Sequence, residues 1–98
     1  MNWTQHIESL RNGNSVVIKP KGNSMKPKID SGNLVTIDPE ISSIKKGDIV
    51  LCKVKGNYYV HLVKAIRGKQ YQIGNNKGHV NGWITINAIF GKVIGVEK

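Results

Sequence analysis

The spacing of apolar residues changes after the first dozen positions. Residues 2–11 carry apolar side chains at helical spacing, at Trp3, Ile7 and Leu10, and the Asn12-Gly13-Asn14 run ends this short helix. From there on, short runs rich in valine, isoleucine and tyrosine alternate with turn-forming residues. These runs predict strands at residues 15–19, 34–37, 49–54, 58–66 and 70–73 and a strand pair over residues 83–96. The pattern predicts one mainly β domain over residues 1–98, with six or seven short strands and one N-terminal helix.

One segment between the predicted strands is unusually polar. Residues 74–82 contain glycine, asparagine and other polar types, interrupted only by Val80. Loops of this length inside a small domain are often functional. We therefore predict a loop with a role in a site. Trp83, which follows it, is expected to anchor the last strands in the core.

Strand alternation predicts where the chemically versatile residues of the strand at 58–66 point. Side chains alternate between the two faces of a strand, so Tyr59, His61, Val63 and Ala65 are expected on one face. Lys64 then lies on the other face and cannot share a site with His61. A lone histidine among apolar neighbours is also typical of a core residue, and Lys64 is most simply a surface charge.

The charge of the chain is strongly positive. Its 98 residues carry 15 Lys and Arg against 6 Asp and Glu, a formal net charge of +9. Such an excess favours anionic partners, such as nucleic acid or an acidic protein, although a solubilising surface explains it equally well. Most of the cations are lysines, which makes base-specific recognition of DNA less favoured. Four of them flank Ser24, with no acid among them until Asp30: Lys19, Lys21, Lys26 and Lys28.

Several function classes are disfavoured by composition. No apolar run approaches 18 residues, and the N-terminus lacks the features of a signal peptide, so we expect a cytoplasmic protein with no membrane association. Cys52 is the single cysteine and is expected to be a buried thiol. No acid lies beside His61 or His79, so a metal-dependent nuclease is a poor fit. We expect neither a metal nor a cofactor.

Five motifs in order along the chain resemble one superfamily, over residues 15 to 96. They are Gly22-Asn23-Ser24-Met25-Lys26-Pro27, Gly32-Asn33-Leu34-Val35, Lys46-Gly47-Asp48-Ile49-Val50, Val60-His61-Leu62-Val63 and Ile89-Phe90-Gly91-Lys92-Val93. The chain is similar here to the S24 and S26 peptidases, which include the LexA/UmuD-type self-cleaving proteins and the type I signal peptidases. The resemblance implies a small barrel of short, mostly antiparallel strands.

The resemblance also implies a set of site residues. Ser24 corresponds to the serine nucleophile, and His61 to the position of the general base, which is lysine in bacterial members and histidine in archaeal and endoplasmic-reticulum signal peptidases. Asn81 and Asn75 fall where the histidine-type enzymes carry acids, and are the candidates for orienting His61. Around this centre, the residues expected to meet a substrate are Lys21, Met25, Lys26, Lys28 and His79.

The chain departs from its relatives in ways that leave two functions open. We expect neither a transmembrane segment nor an upstream DNA-binding domain, and no Ala-Gly or Cys-Gly self-cleavage pair precedes Ser24 in the sequence. It resembles the free-standing peptidase-like cores encoded by phage and mobile elements. One hypothesis is a serine peptidase acting through Ser24 and His61 on a cytoplasmic, acidic protein or peptide. The other is a basic binding module for nucleic acid or an acidic host protein. The oligomeric state is left open, a homodimer included.

Overall fold

A computed structural model of the protein describes residues 3–20, 25–26, 28–30 and 32–97. The predicted mainly β fold is confirmed, with one short N-terminal helix and, within the described residues, seven strands in one antiparallel sheet. The elements are α1 (Trp3–Arg11), β1 (Val16–Ile18), β2 (Leu34–Asp38), β3 (Ile49–Val54), β4 (Asn57–Arg67), β5 (Gln70–Gly74), β6 (Val80–Thr85), a 3₁₀ turn (Ile86–Ala88) and β7 (Ile89–Glu97).

The strands lie in the order β1-β2-β7-β3-β4-β5-β6. The last strand in sequence, β7, thus lies inside the sheet, where it pairs with both β2 and β3. Strands β3 and β4 form a hairpin that turns at Lys55 and Gly56, both with positive φ, as a two-residue turn of this kind requires. The sheet curls enough for Gly82 of β6 to lie close to Val54 of β3.

Two groups of buried aliphatic side chains hold the fold together. The first lies between α1 and the sheet, and it buries Ile7 and Leu10 of the helix together with Ile37 and Leu51 of the strands. The second lies under β3, β4 and β5 and includes Val50, Cys52, Val63 and Ile73. The predicted burial of Cys52 is confirmed. Within the described residues, no helix is long and apolar enough to cross a bilayer.

A β-bulge in β4 and the bounds of β5 and β6 each correct a prediction made from the sequence. Val63 pairs with Ile73 but Ala65 pairs with Gln72, so Lys64 is an extra residue in β4. This β-bulge reverses the alternation, and Ala65 does not share a face with Val63 as predicted. The polar loop is also shorter than predicted, because β5 continues through Gly74 and β6 begins at Val80.

Trp83 is not the core anchor that the sequence predicted. Its side chain is 39% exposed, and the Arg67 guanidinium lies 5.5 Å from its ring centroid. The neighbouring Ile84 packs against the second core group instead, because adjacent residues of a strand point to opposite faces.

Candidate active site

His61 is the one polar residue buried in the described core, at 7% exposure. It lies on β4 opposite Val50 of β3, immediately before the stretch of β4 that pairs with β5. Its ring stacks on that of Tyr59, two residues earlier on the strand, with the centroids 4.8 Å apart and the planes at 27°. Strand pairing thus fixes the backbone of His61, and the tyrosine ring packs against its imidazole.

Asn81 holds the imidazole of His61 from a distant strand. Its side-chain Oδ1 lies 2.7 Å from Nδ1 of His61. An amide oxygen can only accept a hydrogen bond, so Nδ1 carries the proton and the Nε2 atom of the neutral ring carries the lone pair. This is the tautomer that a base acting through Nε2 needs.

The position of Asn81 depends on a second β-bulge. Ile73 pairs with Gly82 and Gly74 pairs with Val80, which leaves Asn81 as the extra residue in β6. The φ of Gly82 is 149°, which favours glycine. Bulges change the direction in which a side chain points, and this one accompanies the contact between Asn81 and His61.

The surroundings of His61 favour its neutral form. Burial is the largest effect and lowers the pKa of the imidazole below its usual value, and the charge of His79 lowers it further. The hydrogen bond to Asn81 acts in the opposite direction and raises the pKa. The net effect is a lowered pKa, which keeps the ring deprotonated near neutral pH and able to accept a proton.

Asn75 shapes the loop that precedes Asn81. Its Oδ1 accepts hydrogen bonds from the backbone N–H groups of Lys77, at 2.8 Å, and His79, at 2.9 Å. Its own N–H donates to the carbonyl oxygen of His79 at 2.9 Å. These bonds close residues 75–79 into a compact turn. Exposed His79 at the end of this turn is near enough to His61 to affect its pKa.

An open groove of about 760 Å³ leads to His61. One wall comes from β1 and the residues that follow it, and the other from the first half of β4, where Tyr58 and Tyr59 lie. Trp3 stacks on Tyr58 with the ring centroids 6.0 Å apart, so the N-terminal helix contributes to the groove. The full lining is Trp3, His6, Val17, Ile18, Lys19, Pro20, Met25, Ile29, Asp30, Tyr58, Tyr59, Val60 and His61.

The structure describes some of the predicted substrate residues and not others. Ser24 and Lys21 lie outside the described residues. Met25, which follows Ser24 in sequence, is buried and lines the groove together with His61. Lys26 and Lys28 are exposed, and Lys26 forms a surface ion pair with Asp30 at 3.4 Å. The described residues contain no group of three His, Cys, Asp or Glu side chains placed to hold a metal ion.

In this antiparallel β fold, His61 lies at the groove and Asn81 holds its Nδ1 atom. The family model for S24-like peptidases matches residues 2–94, almost the whole chain, and the protein belongs to this family. The match begins earlier than the resemblance at residues 15–96, so it includes the helix that contributes to the groove. No curated protein matches the sequence at a significant level.

Proposed function

We propose that the protein is a serine peptidase that uses Ser24 as its nucleophile and His61 as its general base, on a protein substrate in the cytoplasm of a phage or mobile-element host. One observation carries the proposal. His61 is buried, held by Asn81 in the tautomer of a base, and shares its groove with the residue next to Ser24. Membership of the S24-like family supports the same assignment.

The reaction would follow the steps of acyl transfer. The Oγ of Ser24 attacks the carbonyl carbon of the scissile peptide bond while its proton passes to Nε2 of His61. The imidazolium then returns that proton to the leaving amine, and water releases the acyl group by the same route. Asn81 orients the ring but adds no negative charge, so the imidazolium is less stabilised than beside a carboxylate. We therefore propose slow turnover.

The groove suits a peptide in an extended conformation. Strand β1 is at one end of the strand order of the described residues, and β5 pairs with β4 only from Leu62 onward, so a peptide strand would pair with β1 or with the part of β4 before His61. Main-chain pairing of this kind gives affinity, and pockets for alternate side chains give specificity. Buried Met25 and Ile29 make the floor apolar. Exposed Lys26 and Lys28 beside it favour an acidic segment next to the apolar one.

The test is labelling of the protein by a fluorophosphonate, read by intact mass and by mapping of the modified peptide. We expect one label on Ser24, strong reduction in His61→Gln and none in Ser24→Ala. Ser43→Ala, at an exposed serine elsewhere in the chain, is the matched control and should label as the wild type does. Equal background labelling of wild type and Ser24→Ala would refute the peptidase assignment.

A second candidate rests on the net charge of +9. A basic module that binds nucleic acid or an acidic host protein would use Lys21, Lys26 and Lys28 and would not need Ser24. Retention on DNA or RNA that falls steeply with salt supports it, as does loss of binding in the double variant Lys21→Glu, Lys26→Glu. Binding that is unchanged in Ser24→Ala separates this function from the first. Absence of binding to any polyanion at low salt refutes its nucleic-acid form.

A further inference from the structure

The loop at residues 75–79 is tied to the segment that follows Ser24. The side-chain amide of Asn76 donates a hydrogen bond of 2.8 Å from Nδ2 to the backbone carbonyl oxygen of Lys26, 50 residues earlier in the chain. Lys26 is two residues after Ser24. The bond therefore joins two parts of the chain that meet only through tertiary structure.

Each end of this bond is itself held firmly. On one side, the N–H of Ile29 donates a 3.0 Å hydrogen bond to the carbonyl oxygen of Met25, and the Met25 side chain is buried. On the other side, the bonds of Asn75 close the loop, and a methyl group on Gly74 would overlap the carbonyl oxygen of His79. The Asn76–Lys26 bond therefore joins two segments that are each closed by hydrogen bonds of their own.

The loop continues directly into the residue that orients His61. Asn81 follows residues 75–79 with only Val80 between them, and its Oδ1 holds Nδ1 of His61. The chain from Asn76 to Asn81 thus connects the backbone next to Ser24 with the partner of the base.

We propose that Asn76 is a positioning residue, which fixes the segment carrying Ser24 relative to the Asn81–His61 pair. This role rests on the proposed peptidase function. It does not place Asn76 in contact with substrate. Serine and histidine must lie within hydrogen-bond reach for the proton to transfer, and a displacement of about 1 Å can cost on the order of a hundredfold in rate.

The test compares the rate of fluorophosphonate labelling at Ser24 in Asn76→Ala and Asn76→Asp with wild type, across pH and well below the thermal midpoint of each protein. Asp has the size of Asn but no N–H donor, and it serves as the second variant should Asn76→Ala not fold. Lys77→Ala is the matched control, since it changes the neighbouring loop residue, whose bond to Asn75 comes from its backbone. Because the protein stays folded under these conditions, a substitution that only lowers stability does not change the rate of labelling.

We expect both Asn76 variants to label roughly ten- to a hundredfold more slowly, with the pH midpoint unchanged because the contacts of His61 remain. Lys77→Ala should label as wild type does. Labelling of both Asn76 variants within twofold of wild type overturns the inference and leaves the peptidase assignment standing. An equal loss in Lys77→Ala also overturns it. If wild type itself is not labelled, the proposed function fails, and the positioning role fails with it.

Discussion

Replacement of Asn81 by alanine removes the hydrogen bond to the most buried polar side chain of the described core. The Nδ1–H group of His61 then has no amide oxygen at 2.7 Å, in a site where the side chain is only 7% exposed. A buried donor left unsatisfied costs about 1–3 kcal/mol. For a domain of this size, each kcal/mol lowers the thermal midpoint by about 4–8 °C. We therefore expect the midpoint of Asn81→Ala to fall by roughly 4 °C at least.

The same substitution changes the acid–base behaviour of His61 in a defined direction. The bond to Asn81 raises the pKa of the imidazole, so its loss should lower that pKa further. Asn81→Asp should have the opposite effect, because a carboxylate at this distance stabilises the imidazolium. General-base catalysis contributes about 10²–10⁴-fold to a rate. A base no longer held in orientation should therefore slow labelling of Ser24 by about tenfold or more in Asn81→Ala.

The assay is an NMR titration of the His61 ring in wild type, Asn81→Ala and Asn81→Asp, together with thermal unfolding at pH 8. Asn87→Ala, at an exposed asparagine of the 3₁₀ turn, is the control and should change neither quantity. If the two substitutions at Asn81 shift the pKa of His61 in the same direction, or leave it unchanged, the orienting role assigned to Asn81 is wrong.

Three further predictions follow from contacts elsewhere in the fold. Gly91→Ala would place a methyl group 2.9 Å from the carbonyl oxygen of Asp38, so overpacking should cost about 1–3 kcal/mol in urea unfolding. Gly95→Ala on the same strand meets its nearest atom at 3.9 Å and should be close to wild type, so equal losses would contradict the argument. Because the folded pKa of His61 is lowered, the free energy of unfolding should decrease as the pH falls below the ordinary histidine pKa of 6.5, and His61→Gln should flatten this slope. Burial raises the pKa of the Cys52 thiol to about 12, so thiol reagents should modify it only after unfolding, and rapid modification of the folded protein would show that the site is open.

Much of the fold follows from local patterns in the sequence. The short helix, the strand at 49–54 and the burial of Cys52 were all predicted, because apolar periodicity and turn residues act over a few positions along the chain. The position of Trp83 was predicted wrongly. Strand alternation alone does not say which face meets the core, and Ile84 occupies the buried side.

The candidate site depends on features that no local pattern contains. The bulges at Lys64 and Asn81 arise from the register between neighbouring strands, which is set by pairing across the sheet. In the sequence, Asn75, Asn76 and Asn81 are three asparagines of one polar segment, and nothing local distinguishes their roles. Only the tertiary structure gives them different partners: the loop backbone for Asn75, the carbonyl of Lys26 for Asn76 and the His61 ring for Asn81.

The sequence by itself determined the class of fold and the basic character of the protein, because composition and spacing are properties of the chain alone. Its resemblance to the S24 and S26 peptidases is what made Ser24 and His61 candidates. The tertiary structure decided which nitrogen of His61 carries its proton and which loop reaches the segment after Ser24. Both depend on contacts between residues at least 20 positions apart, where the direction of one hydrogen bond determines the chemistry.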